Sequence, residues 1–231
     1  AAVSNDGYAL EYTSDNLRND REIVLAAIES GAPLAYVSDD LRNDRDVVLL
    51  AVTKHGSNFE DASEDLRNDR EIVLAAMNNN GRSLEYASNE LRNDVEVVKA
   101  AISNSSGISL KYASDELRNN REIVTEALTK DGSNIQYASE EIRNDLELVL
   151  VAVKNDRAAK SGFKPYSLKY ASEDLRNSRK LVLAAVIENG PNLEYASDEL
   201  KNDIEVVKAA IINNENAIKF ASESIQIELE Q

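Results

Sequence analysis

Residues 62–76 read Ala-Ser-Glu-Asp-Leu-Arg-Asn-Asp-Arg-Glu-Ile-Val-Leu-Ala-Ala, and variants of this phrase occur nine times along the 231-residue chain. Seven of the eight intervals between copies are 24–26 residues, and the remaining one is 33. A fixed period of this size is typical of stacked units that bury their apolar faces only against their neighbours. The sequence therefore predicts a repeat array. One aliphatic residue anchors each copy, at Leu17, Leu41, Leu66, Leu91, Leu117, Ile142, Leu175, Leu200 and Ile225.

Each repeat contains two segments with helical patterns. Leu84, Ala87, Ser88 and Leu91 stand at i, i+3, i+4 and i+7, which predicts an amphipathic helix. The apolar run 72–77 predicts a second helix that is buried on most sides. The two helices would be roughly eight to ten and ten to twelve residues long. Left-handed C-caps are expected at the glycines after the second helix, namely Gly31, Gly56, Gly81, Gly107, Gly132 and Gly190.

The N-cap of the second helix has two candidates. An Asn stands three residues before a Glu, which is a capping-box spacing, and the Asp after it is a competing cap. The sequence leaves this choice open. The Asn residues with this spacing are Asn19, Asn68, Asn93, Asn119, Asn144 and Asn202.

An apolar run of six residues also suits a strand, and about 25 residues is a length of leucine-rich repeats. The leucine-rich pattern of Leu-x-x-Leu-x-Leu with an Asn at fixed offset is absent, and the alanine pairs favour helix. The predicted fold class is therefore all-α, an α-solenoid of about nine stacked two-helix repeats. We interpret residues 1–231 as one array with a partial first repeat at 1–11, an insertion at 154–167 and a C-terminal capping repeat at 218–231.

Composition limits the partners of this array. The formal charge is −16, from 42 acidic and 26 basic residues. Such a surface repels phosphate backbones, so nucleic acid and anionic membranes are disfavoured, and basic proteins are the better partners. The simpler interpretation is that the acids keep a long array soluble. No apolar run is long enough to insert into a membrane, and the compartment stays open.

Residues for catalysis or metal binding are scarce. The chain has no cysteine, which excludes disulfides, thiolate metal sites and thiol nucleophiles. His55 is the only histidine, so no Ser-His arrangement can recur with the repeat. The acidic pairs lack the glycine and terminal glutamate of an EF-hand. We expect no enzyme activity, no metal site and no cofactor.

Three side-chain ladders follow the period. A serine is invariant, from Ser14 to Ser222, and we expect a packing role with its hydroxyl bonded one turn back. An arginine, from Arg18 to Arg176, suits capping of carbonyls and pairing with acids of the next layer, or binding of an acidic partner. A tyrosine ladder either packs between layers or lines an exposed groove. Its candidate surface residues are Tyr86, Tyr112, Tyr137, Tyr170 and Tyr195.

Two places break the pattern. The insertion is basic in an acidic chain, and we expect its helix to extend through Ala158-Ala159 and to end at Gly162. Insertions in solenoids often lie on the binding face, although a tolerated loop is the alternative. The last repeat, 222–231, either caps the core or forms an edge for end-to-end or subunit contacts. Candidate partner-binding residues of the insertion are Arg157, Lys160, Phe163, Lys164 and Tyr166.

The phrase Leu-Arg-Asn-Asp-Arg-Glu-Ile-Val-Leu-Ala-Ala, which occurs in full at both 17–27 and 66–76, resembles the repeat of the domain-of-unknown-function 4116 family. The resemblance covers nearly the whole chain. It departs at Val95, Leu146 and Ile204 in the second Arg position and at Asn120 and Ser178 for Asp. It implies tandem repeats of large microbial and protist proteins, including some secreted effectors, with no assigned activity and no catalytic residue.

The sequence thus favours a non-catalytic helical-repeat scaffold or protein-interaction module, such as a structural subunit of a larger assembly. The alternative is a targeting array of a larger enzyme or secreted effector. In that case the catalytic domain lies outside this chain, which begins in mid-repeat at Ala1-Ala2-Val3.

Overall fold

A computed structural model describes residues 2–156 and 166–230, and it divides into two compact units, Ala1–Ser114 and Asp115–Gln231. Every regular element in the described residues is a helix, and consecutive elements contact each other along each unit. The predicted all-α repeat solenoid is confirmed. None of the described helices combines the length and the apolarity that crossing a membrane requires.

The first unit contains four long α-helices that pack in chain order: α1 (Arg21–Glu29), α2 (Arg45–Lys54), α3 (Arg70–Asn79) and α4 (Val95–Ser103). A four-residue helix, Ala2–Asn5, precedes them. The connecting segments are 3₁₀ helices at Gly7–Tyr12, Leu34–Tyr36, Gly56–Asp61, Gly81–Tyr86 and Ile108–Tyr112, and single turns at Asp15–Arg18, Leu41–Asn43, Leu66–Asn68 and Leu91–Asn93.

The second unit repeats this arrangement. Its long helices are α5 (Arg121–Lys130), α6 (Leu146–Lys154), α7 (Arg179–Glu188), α8 (Ile204–Asn213) and the terminal α9 (Glu223–Glu230). The 3₁₀ helices are Gly132–Tyr137, Ser167–Tyr170, Gly190–Tyr195 and Glu215–Phe220, and the single turns are Asp115–Arg118, Glu140–Arg143, Glu173–Arg176 and Asp198–Lys201.

Two features stabilise a long helix such as α3: a side-chain cap at its N-terminus and a buried apolar face. In α3 the carboxylate of Asp69 accepts hydrogen bonds from the backbone N–H groups of Glu71 at 3.0 Å and Ile72 at 3.2 Å. These bonds satisfy two of the donors that the first turn leaves without partners. Ile72, Val73, Ala76 and Met77 are fully buried, as the apolar run predicted. The question of the cap is settled in favour of Asp, with Asn120 taking the same role at α5.

The prediction of one long first helix per repeat is wrong. Leu84 lies in a 3₁₀ helix, Ala87 is extended with φ −69° and ψ 154°, and Leu91 begins a separate turn. The chain leaves the helix because the N–H of Ser88 donates to the carbonyl of Arg67 in the preceding repeat, at 3.2 Å. A bond between repeats replaces the bond that would continue the helix.

The prediction of left-handed glycine C-caps holds only for Gly31 and Gly107, whose φ angles are 92° and 87°. Gly56 instead starts a 3₁₀ helix against the next repeat. A Cβ atom there would stand 2.7 Å from the carbonyl oxygen of Ala76 and 2.7 Å from the backbone N of Asn80. Glycine is needed at this position because two backbones approach closely. Gly81, Gly132 and Gly190 face Ala101, Ala152 and Ala210 in the same way.

At the insertion, α6 ends at Lys154, so its helix does not run on unbroken as predicted. The extension through Ala158-Ala159 and the break at Gly162 lie outside the described residues. On either side of the gap, Asp156 and Ser167 are buried and joined. Ser167 donates from its N–H at 2.5 Å and from its hydroxyl at 2.6 Å to Asp156 Oδ2. The two ends of the insertion are therefore held together.

Candidate functional site

A serine–asparagine pair joins each repeat to the one before it. The hydroxyl of Ser88 donates to Oδ1 of Asn68 at 2.6 Å, while the N–H of Leu91 donates to the same hydroxyl at 3.3 Å. We call this arrangement the serine–asparagine joint. It occurs at Ser38–Asn19, Ser63–Asn43, Ser88–Asn68 and Ser114–Asn93 in the first unit, and at Ser139–Asn119, Ser172–Asn144, Ser197–Asn177 and Ser222–Asn202 in the second.

The invariant serine therefore has the structural role that the sequence predicted, but its hydroxyl bonds to the neighbouring repeat rather than one turn back. The joint uses the only donor of the hydroxyl and one of its two acceptor sites. The pair Ser172–Asn144, at 2.7 Å, spans the insertion, so the extra residues leave the joint in place.

The first arginine of the phrase is bound to backbone of its own repeat. Arg42 donates from Nε to the carbonyl of Val37 at 3.0 Å and from a terminal nitrogen to that of Ala35 at 2.6 Å. Arg18 contacts the carbonyl of Glu11 at 2.5 Å in the same manner. The predicted capping of carbonyls is confirmed for these residues. A guanidinium group used in this way has fewer donors left for an acidic partner.

A cleft accompanies the joint at equivalent places in different repeats, and we call these the joint clefts. Each contains the exposed carboxylates at the start of a single turn, the first basic residue of the phrase, and the Tyr-Ala-Ser or Tyr-Val-Ser of the next repeat. Their volumes are about 260, 630 and 300 Å³. The linings are Asp15, Arg18, Tyr36, Ser38, Asp39 and Arg42; Glu140, Glu141, Arg143, Tyr170, Ser172, Glu173 and Asp174; and Glu173, Arg176, Tyr195, Ser197, Asp198 and Lys201.

The five candidate tyrosines of the ladder are partly exposed, so they neither pack fully between layers nor stand free in solvent. Tyr86, Tyr112, Tyr137, Tyr170 and Tyr195 are all half-buried. The hydroxyl of Tyr112 donates to Oε2 of Glu85 at 2.7 Å. A hydrogen bond to Glu60 likewise raises the pKa of Tyr86. Carboxylates of one repeat thus orient the tyrosine of the next. A further cleft of about 280 Å³ lies between Tyr86 and Tyr112.

The insertion residues predicted to bind a partner separate into two groups. Tyr166 is buried, with 3% of its surface exposed, and its ring meets that of Tyr195 edge-on with centroids 6.1 Å apart. It is a packing residue in this structure, because an apolar ring gains more from a neighbouring aromatic face than from water. Arg157, Lys160, Phe163 and Lys164 lie outside the described residues, and their role stays a prediction.

Sequence reasoning missed a second arginine row that links the long helices. Nε of Arg70 is 2.8 Å from Oδ2 of Asp94, the N-cap of α4, and a terminal nitrogen contacts Glu96. This hydrogen bond holds the pKa of Asp94 below its ordinary value. The remaining ion pairs of the row are Arg21–Asp44, Arg45–Asp69, Arg121–Asp145 and Arg179–Asp203.

The sequence contained a signal for this row. The residue that caps a long helix is Asp wherever the preceding repeat has the second arginine. Where Leu146 replaces that arginine, Ser178 replaces the Asp one repeat later. Likewise, Val95 replaces the arginine and Asn120 replaces the Asp of the following repeat. A carboxylate is thus present only where a guanidinium group one repeat earlier would pair with it.

Nothing in the described residues groups three or more His, Asp or Glu side chains in a way that could hold a metal ion. His55 stands at the start of the 3₁₀ helix Gly56–Asp61.

Comparison with known proteins identifies one family. A family model described as a domain of unknown function, DUF4116, matches the chain at 1–42, 29–67, 44–92, 69–118, 94–134, 120–159 and 178–226. These overlapping matches follow the tandem repeats. No curated protein and no solved structure is detectably similar to the chain.

Proposed function

The chain belongs to the DUF4116 family, whose description names no activity, and on that premise we propose a non-catalytic repeat scaffold that binds a basic protein segment along its joint clefts. One observation carries the proposal: clefts with the same combination of tyrosine and exposed carboxylates recur at equivalent joints.

The charge of the clefts favours a basic partner. The side chains of Asp39 and Glu140 are 98% and 96% exposed beside the arginine of each turn, so their charges face solvent. Their nearest arginines, Arg42 and Arg143, lie 3.6 and 4.0 Å away, which is a loose pairing. The formal charge of −16 adds a long-range attraction that speeds the approach of a cationic segment.

The spacing of the clefts favours an extended segment. Neighbouring long helices lie about 8–10 Å apart, whereas an extended chain advances about 3.3 Å per residue. A Lys or Arg at every third residue would therefore reach one cleft per repeat. A half-buried tyrosine lines each cleft, and an aromatic ring is a suitable contact for the cation and the stem of a basic side chain.

The proposal assigns no reaction to the array. The serine hydroxyl that recurs at each joint donates to asparagine and accepts from a backbone N–H, which supports a structural role for it. The first arginine of the phrase likewise has a structural role, since Arg42 donates hydrogen bonds to backbone carbonyls of its own repeat.

Fluorescence anisotropy with a labelled peptide tests this function. The probe carries Lys at every third residue in a Gly/Ser background, and a second probe of the same composition has its lysines contiguous. We expect the spaced peptide to bind more tightly, and its affinity to fall as NaCl rises.

The variant Glu173→Gln/Asp174→Asn removes carboxylates of two clefts and should weaken binding roughly two- to fivefold. Glu188→Gln/Glu228→Gln removes the same charge at exposed positions outside the clefts and is the matched control. Equal loss in both variants, or equal affinity for both peptides, would overturn the cleft as the binding site and leave only general charge attraction.

A further inference from the structure

The last repeat leaves apolar side chains uncovered at positions that earlier repeats bury. Ile211 occupies the position of Met77 and Val186, and Ile218 occupies that of Leu84; these three counterparts are fully buried. Ile211 and Ile218 are only half-buried. Beside them, α9 occupies the position at which earlier repeats have a single turn and the start of the next long helix.

These side chains line a groove of about 400 Å³ together with Ile212 and Leu229 of the neighbouring helices. Ile212 is 87% exposed. One basic and one acidic residue, Lys208 and Glu215, stand at the groove, and both side chains are exposed. An apolar centre with a charged rim is the usual anatomy of a protein–protein interface.

A further repeat of the same pattern does not suit this groove. Its serine would need an asparagine in the last repeat, and the residue at that position is Ile227, which is 59% exposed. Gln226 stands where the first arginine belongs. In addition, α9 continues through the point where earlier repeats bend to form the serine–asparagine joint.

We propose that the groove formed by α8, the 3₁₀ helix Glu215–Phe220 and α9 binds the same groove of a second copy of this chain around a two-fold axis. In such an interface, if residue i contacts residue j of the other copy, then j also contacts i. Lys208 of each copy then meets Glu215 of the other, so two ion pairs flank the shared apolar centre. The groove carries one positive and one negative side chain, so a second copy of the groove can pair with both. A partner surface with charges of a single sign would pair with only one of them.

Sedimentation velocity of the full 231-residue chain over a range of concentrations tests the proposal. We expect a reversible dimer. The variants Lys208→Glu and Glu215→Lys each place like charges in contact and should weaken dimerisation about tenfold or more. An equimolar mixture of the two variants should restore the dimer, because each supplies the charge that the other needs. This rescue shows that Lys208 of one copy contacts Glu215 of another, and closure at a dimer shows that the contact is two-fold.

A matched pair of isoleucines controls for general effects of surface charge. Ile187 in α7 has the same helix position as Ile212 in α8 and is 61% exposed, but it lies outside the groove. Ile212→Lys should abolish the dimer and Ile187→Lys should leave it unchanged, with thermal unfolding confirming that both variants fold. A monomeric wild-type chain, head-to-tail oligomers larger than a dimer, or a mixture that stays monomeric would overturn the proposal.

Discussion

A serine hydroxyl and an asparagine amide decide how successive repeats connect. Their bond links residues 20 positions apart, as in Ser88 and Asn68, and the serine N–H adds a bond to the carbonyl of Arg67. The same hydroxyl also caps the turn that begins at Leu91. No other side chain combines a small volume with one donor and two acceptor sites except threonine, whose extra methyl group needs room. The invariance of this serine along the chain follows from the two bonds of its hydroxyl.

We predict that Ser88→Ala destabilises the chain by about 1–2 kcal/mol, since both the joint and the cap are lost. Urea unfolding followed by circular dichroism measures the effect. Ser57→Ala in the preceding 3₁₀ helix, where the serine is exposed, is the control and should change stability by less than about 0.5 kcal/mol. In a double-mutant cycle, Asn68→Ala should add little to Ser88→Ala. Fully additive losses would contradict a bond between the two residues.

The second arginine row makes stability depend on pH. The hydrogen bond from Arg70 lowers the pKa of Asp94 in the folded chain, so the unfolded chain binds the proton more readily. The contribution of this pair is complete above the ordinary carboxyl pKa of about 4 and is lost as pH falls through the lowered value.

We therefore expect Arg70→Gln to lower the melting temperature at pH 7, with a difference from the wild type that shrinks as the pH falls below about 4. Thermal unfolding between neutral and acidic pH measures the difference. Arg82→Gln removes an exposed arginine outside the row and is the control. A difference between wild type and Arg70→Gln that persists unchanged at the lowest pH would show that packing of the arginine stem, not the ion pair, stabilises the fold.

Among the helices, the seam between a 3₁₀ helix and the next long helix depends on a missing Cβ atom. Gly56 allows its own backbone to approach Ala76 of α3, and its N–H donates to the side chain of Asn79 at 2.8 Å. Gly31 has a different reason for its identity, because its φ of 92° favours glycine while the space around it is open. Glycine is thus required at Gly56 by the close approach of two backbones and at Gly31 by a positive φ angle.

We predict that Gly56→Ala costs about 2–3 kcal/mol, because the new methyl group would push two backbones apart. Gly31→Ala should cost only about 1 kcal/mol, the strain of a left-handed alanine. Urea unfolding of both variants measures the difference. A Gly31→Ala loss equal to or larger than that of Gly56→Ala would contradict the close backbone approach as the reason for Gly56.

At the scale of the whole molecule, the insertion interrupts the period without interrupting the joint. The interval of 33 residues returns to 25 when residues 157–164 are deleted, and the pair Ser172–Asn144 lies outside the deleted stretch. We expect this deletion to change the free energy of unfolding by less than about 0.5 kcal/mol. Urea unfolding and hydrogen exchange at α6 and α7 measure it. Loss of protection in both helices would show that the insertion is part of the core.

The same deletion tests the predicted partner-binding role of Arg157, Lys160, Phe163 and Lys164. A pull-down from lysate with the wild-type and shortened chains, analysed by mass spectrometry, compares the proteins they capture. Partners lost on deletion would support the insertion as their binding site. Partners retained by the shortened chain would instead place the contact on the joint clefts or the terminal groove.

The sequence predicted much of this architecture because periodicity is local information. The period of the phrase, the buried face of 72–77 and the absence of cysteine are enough to predict stacked helices and to exclude thiol chemistry. The paired exchange of Leu146 with Ser178 even carried a trace of the arginine row. The joint clefts contain residues of the tyrosine ladder because the ladder position lies two residues before the invariant serine in every repeat.

Only the tertiary structure decided which hydrogen bonds form. Ser88 could have bonded one turn back, Asn68 could have capped α3, and Gly56 could have taken a left-handed angle, because each group has a suitable partner within a few residues. Stacking presents each of them with a better partner in the neighbouring repeat. The sequence by itself therefore determined the repeating helices and their buried faces, whereas the choice between local and inter-repeat partners, and with it the break in the first helix, required the stacked backbones.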